Sequence, residues 1–407
     1  MVCRVILHIG SHKTGSTSIQ SALKRYDDGQ TSYADLGNTN HSAPLFTAFS
    51  KSKYGYHIWA KQGLSHQQID QRAEQACTQL QQQLDRSDRH TLILSGEDLS
   101  LLQPDEVASL LQMLRGHGRD VSTVCYVRHP LDYATSVCQQ LIKGGAANLP
   151  TQFSPAYRQR LEPYRQQLQA DQLIVRRFDR AHLHQSCVVA DFCQIIGIDS
   201  SKLQVKPRNE SLPAAAIKAL YQLNRSGVLQ FGDRLLVQAR NHLQQVLSQI
   251  FAGTPRLERQ LLINHTDYSD CHYLADHYGI TFAAKEASDT ASATTLHQWL
   301  DKPDPEIQQA IQHWLHHTAA LNSHYPEPNG ALQRLYFLCL NSALLADHRD
   351  LLRSVARQCE NGEAVPTEAA AALRRLARQA RPGSTAPQTG NGNGRVDCQT
   401  PRGRSNP

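Results

Sequence analysis

The sequence predicts an α/β fold: a P-loop-like parallel sheet flanked by helices, with a mostly helical C-terminal extension. Three observations predict it. Apolar runs of strand length alternate with segments of helical periodicity from Val5 to Gly197. The first run feeds a loop rich in Gly, Ser and Thr and then a helix, the layout that gathers free backbone N–H groups around an anion. Beyond Lys206-Pro207-Arg208-Asn209-Glu210-Ser211 strand signals become scarce.

Taken in order, Val5–Ile9 is apolar on both faces, as a central parallel strand requires. A helix begins near Ile19 and stops at Asp27-Asp28-Gly29. Residues 30–61 read as a polar segment with a short apolar patch at Leu45–Phe49. Ile69, Ala73, Ala76, Leu80 and Leu84 recur at helical spacing, which predicts an amphipathic helix over 64–85. Thr91–Leu94 is a second buried strand, ending at Ser95-Gly96-Glu97-Asp98. A helix over 104–114 opens with Pro104 and the acids Asp105 and Glu106, which suit the positive end of its dipole. Val121–Val127 is a third strand, closed by Arg128-His129-Pro130. A helix over 131–142 ends at Gly144-Gly145. A helix over 157–169, a strand at Leu173–Val175 and a helix over 187–196 complete the alternation. Helices are predicted next over 213–224, 232–250 and 304–321. Residues 329–381 are helix-prone, and 382–407 carry almost no large apolar residue, the composition of a disordered tail. The units read as an α/β core over 1–212, a helical extension over 213–322, C-terminal helices over 323–381 and the tail over 382–407.

The chain has 407 residues and a net charge of +6 without a Lys/Arg block, which suits an anionic ligand better than a nucleic-acid coat. No apolar run reaches the length of a membrane span, and the N-terminal run is too short for a signal peptide, so the expected location is cytoplasmic. Ten cysteines form no C-x-x-C pair and no cluster with histidine at zinc spacing, so no metal site is predicted.

The chemistry concentrates in three loops that follow strands, at Ser11, Ser95 and Arg128, and a parallel sheet should bring them to one edge. Gly10-Ser11-His12-Lys13-Thr14-Gly15-Ser16-Thr17 has the glycine spacing of an ATPase phosphate loop. Its lysine stands before the second glycine, however, and Ser16 occupies the place of the lysine that reaches the β/γ-phosphates. Lys13-Thr14-Gly15-Ser16-Thr17 resembles instead the 5′-phosphosulfate loop of the sulfotransferase superfamily. Arg128-His129-Pro130 followed by Ser136 is similar to that family's second signature. The resemblance covers residues 1–212, including Phe178-Asp179-Arg180 and 207–212, and is loose beyond them.

The resemblance implies transfer of a sulfuryl group from 3′-phosphoadenosine 5′-phosphosulfate (PAPS) to a hydroxyl or amine of an acceptor, without a metal. It implies that Lys13 stabilises the leaving bridging oxygen. Ser11, His12, Thr14, Gly15, Ser16 and Thr17 would line the 5′-phosphate loop, and Arg128 and Ser136 the 3′-phosphate. Arg208, in the last matching segment, would join the nucleotide site. Two candidates stand for the base: Glu97, after the second strand, and His41, in an Asn-His pair that many bacterial members carry. By analogy with bacterial relatives the acceptor is a saccharide or glycolipid, for which Tyr268, Tyr273, Tyr278, Trp299 and Trp314 are candidate lining residues. Two other readings stay open. A magnesium-dependent nucleotide or small-molecule kinase could use Thr17 with Glu97 or Asp98 as metal ligands. A non-catalytic nucleotide-binding scaffold would use the helical region to hold a partner.

Overall fold

The computed structural model describes residues 2–86, 88–204, 211–226, 234–282, 295–317 and 335. Five strands form one parallel sheet: β1 Arg4–His8, β2 Thr31–Tyr33, β3 Thr91–Ser95, β4 Asp120–Val127 and β5 Leu173–Arg177, in the spatial order β2-β3-β1-β4-β5. The helices are α1 Ser16–Leu23, α2 Ser42–Phe49, α3 His57–Gln62, α4 His66–Leu84, α5 Pro104–Arg115, α6 Pro130–Gly144 and α7 Tyr157–Arg165. They continue with α8 Val188–Ile196, α9 Ala214–Arg225, α10 Arg234–Ile250, α11 Cys271–Tyr278, α12 Leu296–Asp301 and α13 Pro305–His317.

Strand alternation sorts the sheet's side chains between two cores. Val5, Leu7, Leu92, Leu94, Val121 and Val127 face one side, where Leu80 of α4, Leu110 of α5, Leu161 of α7 and Leu274 of α11 cover them. Ile6, Ile93, Val124 and Tyr126 face the other, under Ile19 of α1 and Phe192 of α8. The inner strands are therefore buried on both faces, which is why the centres of β1 and β3 read as unbroken apolar runs. A third core joins α6, α9, α10, α12 and α13, with Leu335 against it. Leu131, Ala134, Cys138 and Ile142 give α6 its face in that core, so the helix after β4 belongs to the helical lobe, not to the sheet. Among the described residues no helix is long and apolar enough to cross a membrane.

The predicted α/β architecture is the observed one, and the differences are local. The segment over 30–61 holds β2, α2 and α3. At three residues β2 is too short to show a periodicity. It is fixed by pairing along β3, Thr31 with Thr91 and Tyr33 with Ile93. The Leu45–Phe49 patch is the second half of α2, which buries Leu45, Phe46 and Thr47. The helices predicted over 329–381 and the tail over 382–407 lie outside the described residues, apart from Leu335.

Candidate functional site

In the strand order β3-β1-β4, β1 lies between the two strands that follow it on either side, so the sheet's connections diverge there. A ligand crevice forms outside the carboxyl ends of strands at such a point. The register sets His8 of β1 beside Ser95 of β3 and Val124 of β4. The loops carrying Lys13, Glu97 and Arg128 therefore leave neighbouring strands at one edge.

The loop after β1 is tied down from within. The Ser11 hydroxyl donates to the Tyr126 carbonyl (2.7 Å), and the Thr14 hydroxyl donates to the Ser11 carbonyl (2.6 Å). Both side chains are buried, and both shape the loop with hydroxyls spent on its own backbone. Two glycines let it turn. Gly10 has φ +43°, and a Cβ there would lie 2.5 Å from Ser16 Oγ. Gly15 has φ +84°, and a Cβ would meet Val188 Cγ1 at 2.9 Å and Phe178 Cε2 at 3.1 Å. Lys13 itself takes a left-handed conformation, φ 69°. Gly15 caps α1, and its carbonyl accepts from both Ser18 N–H and Ile19 N–H. The earlier amides of the helix have no intrahelical acceptor. Ser16 Oγ is 2% exposed and without a hydrogen-bond partner, and Thr17 is exposed in the same turn. A narrow cradle of amides around an orphaned hydroxyl fits an anionic oxygen.

Arg128 closes the loop from β4. Its Nη1 donates to the Lys13 carbonyl (3.1 Å), and its guanidinium lies 5.7 Å from the centre of the Phe178 ring. The Tyr157 hydroxyl accepts from Arg128 N–H (2.9 Å) and donates to the Arg128 carbonyl, which locks that peptide. Burial lowers the Arg128 pKa, an effect the charge of nearby Arg259 adds to and Tyr157 opposes. Burial likewise lowers the Lys13 pKa. The Glu97 charge opposes the shift, and the charges of Lys143 and Arg128 add to it. Ser136 is half-buried in the second turn of α6, and Arg259 forms an ion pair with Asp132 of that helix.

The acidic side is built by the loop after β3. Gly96 presses against α2: a Cβ there would lie 2.7 Å from the Ser42 amide nitrogen. His12 bridges two carboxylates, with Nδ1 3.6 Å from Glu97 and Nε2 3.5 Å from Asp98. Asp98 also accepts from the Tyr56 hydroxyl (2.5 Å). Burial pushes the Glu97 pKa up. The hydrogen bond and charge of His12 and the charges of Lys13 and His8 outweigh that and hold it below its ordinary value. Glu97 is thus an ionised acceptor facing Lys13.

His41 sits beside the end of β3, where its backbone N–H donates to the Ser95 carbonyl (2.8 Å). It is 0% exposed, its Nδ1 accepts from Ser95 N–H (3.0 Å) and its Nε2 is 3.0 Å from the Ala34 carbonyl. Those partners fix the neutral tautomer that donates from Nε2, and burial drives the pKa down to about 4. With both nitrogens engaged and no exposure, His41 is a brace between β3 and the segment before α2. His8 is similarly buried, with Nδ1 2.8 Å from Ser95 Oγ and a pKa lowered by burial to about 4.

The structure therefore gathers Lys13, Gly15, Ser16, Thr17, Arg128, Glu97 and His12 at one edge. Arg208 lies outside the described residues. Of the candidate acceptor aromatics, Tyr268 is 38% exposed and its ring contacts His129, whereas Tyr273 and Tyr278 pack beside the sheet and Trp299 and Trp314 against the helical lobe. Tyr157 and Phe178, which contact Arg128, and Arg259, which pairs with Asp132, were not named as site residues. Phe178 alone carried a signal, within the Phe178-Asp179-Arg180 segment of the resemblance. Among the described residues no group of three or more His, Cys, Asp or Glu side chains is arranged to hold a metal ion. Compared with known proteins, the chain matches no family model, no curated protein and no solved structure.

Proposed function

We propose that the chain is a sulfotransferase that takes PAPS as donor and a hydroxyl or amine, of a saccharide or glycolipid, as acceptor. The observation that carries this reading is the contact between the two signature loops. Arg128 Nη1 donates to the Lys13 carbonyl, which draws the two signature loops together beyond β1. The residues present fit an anion: Ser16 Oγ is a buried hydroxyl still lacking a partner, in the first turn of α1, where the amides have no intrahelical acceptor. Bound there, PAPS would supply the activated sulfuryl group.

The roles of the chain's own groups follow from their positions. The α1 amides and Ser16 Oγ bind the 5′-phosphate, and Arg128 with Ser136 binds the 3′-phosphate. The Lys13 ammonium stabilises charge on the departing oxygen. A Glu97 carboxylate oxygen takes the acceptor's proton, and His12 keeps that carboxylate ionised and aimed. His41, braced on both nitrogens, is given no proton to move.

The test is incubation of the purified chain with ³⁵S-labelled PAPS and a panel of saccharide and glycolipid acceptors, beside binding of adenosine 3′,5′-bisphosphate. Label should enter an acceptor, and Lys13→Ala should abolish transfer while the protein keeps its melting temperature. Full activity in that variant overturns the assignment. Magnesium-dependent ATP hydrolysis without bisphosphate binding would favour the kinase. Bisphosphate binding without turnover on any acceptor would favour the scaffold.

A further inference from the structure

One face of α7 holds both of the loops that flank the loop after β1. Tyr157, Arg160 and Tyr164 recur at spacings of three and four, so they line one side of the helix. At its start the Tyr157 hydroxyl locks the Arg128 peptide. One turn on, Arg160 reaches the acidic loop instead. Its Nη1 donates to Ser100 Oγ (2.8 Å), and Ser100 Oγ donates to the Glu97 carbonyl (2.7 Å). Its Nε donates to the Pro155 carbonyl (2.9 Å), which fixes the guanidinium at a second edge. The Tyr164 hydroxyl then donates to the Leu99 carbonyl (2.8 Å). Ser100 is 1% exposed and Tyr164 fully buried, so these bonds are shielded from water. A cation that donates to a hydroxyl polarises it and strengthens the bond the hydroxyl donates in turn. The Glu97 carbonyl is therefore held more firmly than the short turn Glu97–Leu101 would hold it alone. From the other side Gly96 presses on α2, so the backbone that carries Glu97 is pinned between α2 and α7. Helix α7 is itself anchored on a further side. The Tyr273 hydroxyl of α11 donates to Glu162 (3.0 Å), and the Arg158 N–H donates to Asp270 (3.1 Å).

We propose that Arg160 is a positioning residue of the site: through Ser100 it fixes the Glu97 peptide, and with it the place of the Glu97 carboxylate beside His12. The inference rests on the role given to Glu97 above only for what that carboxylate does. Two residues of one helix thus serve different loops, Tyr157 the Arg128 peptide and Arg160 the acid, and their effects should separate.

NMR titration of the full-length chain carrying ¹³C-labelled glutamate tests this, with the Glu97 carboxyl assigned by its loss in Glu97→Gln. In wild type that carboxyl should titrate below its ordinary value: burial pushes it up, and His12, Lys13 and His8 outweigh the burial. Arg160→Met, which keeps the aliphatic stem, and Ser100→Ala should each move the midpoint up as the carboxylate slackens away from these partners. Because the two residues act in series, the double variant should move it no further than the larger single shift. Arg165→Ala, whose ion pair is with Glu162 of the same helix, should leave it in place. In sulfuryl transfer Arg160→Met should lower kcat by about tenfold to a hundredfold, with KM for PAPS unchanged and the acidic limb of the pH profile moved up. Thermal melting of each variant confirms that it is folded, and if Arg160→Met does not fold, Ser100→Ala decides. A Glu97 midpoint unmoved in the folded variants overturns the proposal, as does an equal shift in Arg165→Ala. A shifted midpoint in a protein that transfers no label to any acceptor upholds the positioning of Glu97 and removes the sulfotransferase reading.

Discussion

Acidification should unfold this protein through two buried histidines that meet at Ser95. His8 and His41 have native pKa values lowered by burial to about 4, against 6.5 for the free side chain. Between these values the unfolded chain binds a proton at each position and the native state does not. The stability is therefore fully present above pH 6.5 and lost as pH falls toward 4. Lowering the pH from 7.5 to 5 should cost about 2 kcal/mol for each histidine, about 4 kcal/mol together. Carboxylates of ordinary pKa remain ionised over that range and contribute little. The assay is urea unfolding at half-unit pH steps, where the midpoint should fall steadily below pH 6.5. His41→Asn should remove roughly half of that dependence. Because the variant loses a brace, NMR titration of the wild-type imidazoles gives an independent reading, and both rings should stay neutral down to pH 5. A urea midpoint that is flat between pH 7.5 and 5, or a His41 ring titrating near its free value, refutes the reasoning.

Gly15→Ala should destabilise by about 2–4 kcal/mol, from the left-handed backbone and the contacts with Val188 and Phe178. Gly37→Ala shares the positive φ but meets nothing within 4 Å, so it should cost only about 1–2 kcal/mol; equal losses in urea unfolding would sink the packing argument. Tyr157→Phe leaves both the N–H and the carbonyl of Arg128 without their partner, a loss of about 1–3 kcal/mol by the same assay. It should also weaken bisphosphate binding, and an unchanged affinity would show that the lock on Arg128 is not what aims it. Glu97→Gln should remove the acidic limb of the pH–rate profile for sulfuryl transfer, and persistence of that limb would assign the proton to another group.

The sheet was legible because its inner strands are covered on both sides. Val5–Leu7 and Leu92–Leu94 are apolar at every position, a pattern that only a doubly packed strand needs. The edge strand β2 was not legible, since three residues paired to one neighbour demand no periodicity. The shape of the loop after β1 could be read because glycine spacing and hydroxyls are local features. The division of labour within it could not. Ser11 and Thr14 look like Ser16 in sequence, yet they bond to Tyr126 and Ser11 backbone, and only Ser16 keeps its hydroxyl unpartnered. The burial of His41 was not legible for a similar reason: nothing local reports that the Ser95 amide and the Ala34 carbonyl close over its ring. Arg259 and Tyr157 reach the site from distant segments, and only the tertiary fold brings them there.

The central position of β1 also fixes when the site can come into being. Arg4 finds its partners in Thr91 and Asp120, so the first strand made at the ribosome must wait for two much later ones. Closing such long loops is entropically costly and slow. Until the segment through Arg128 has emerged, residues 10–15 lack the Tyr126 carbonyl that anchors Ser11 and the Arg128 that clasps Lys13. The nascent chain therefore carries the sequence of this loop from the start but cannot give the loop its final shape until β4 docks. Truncations ending before β4 should be translated intact and leave the loop unformed.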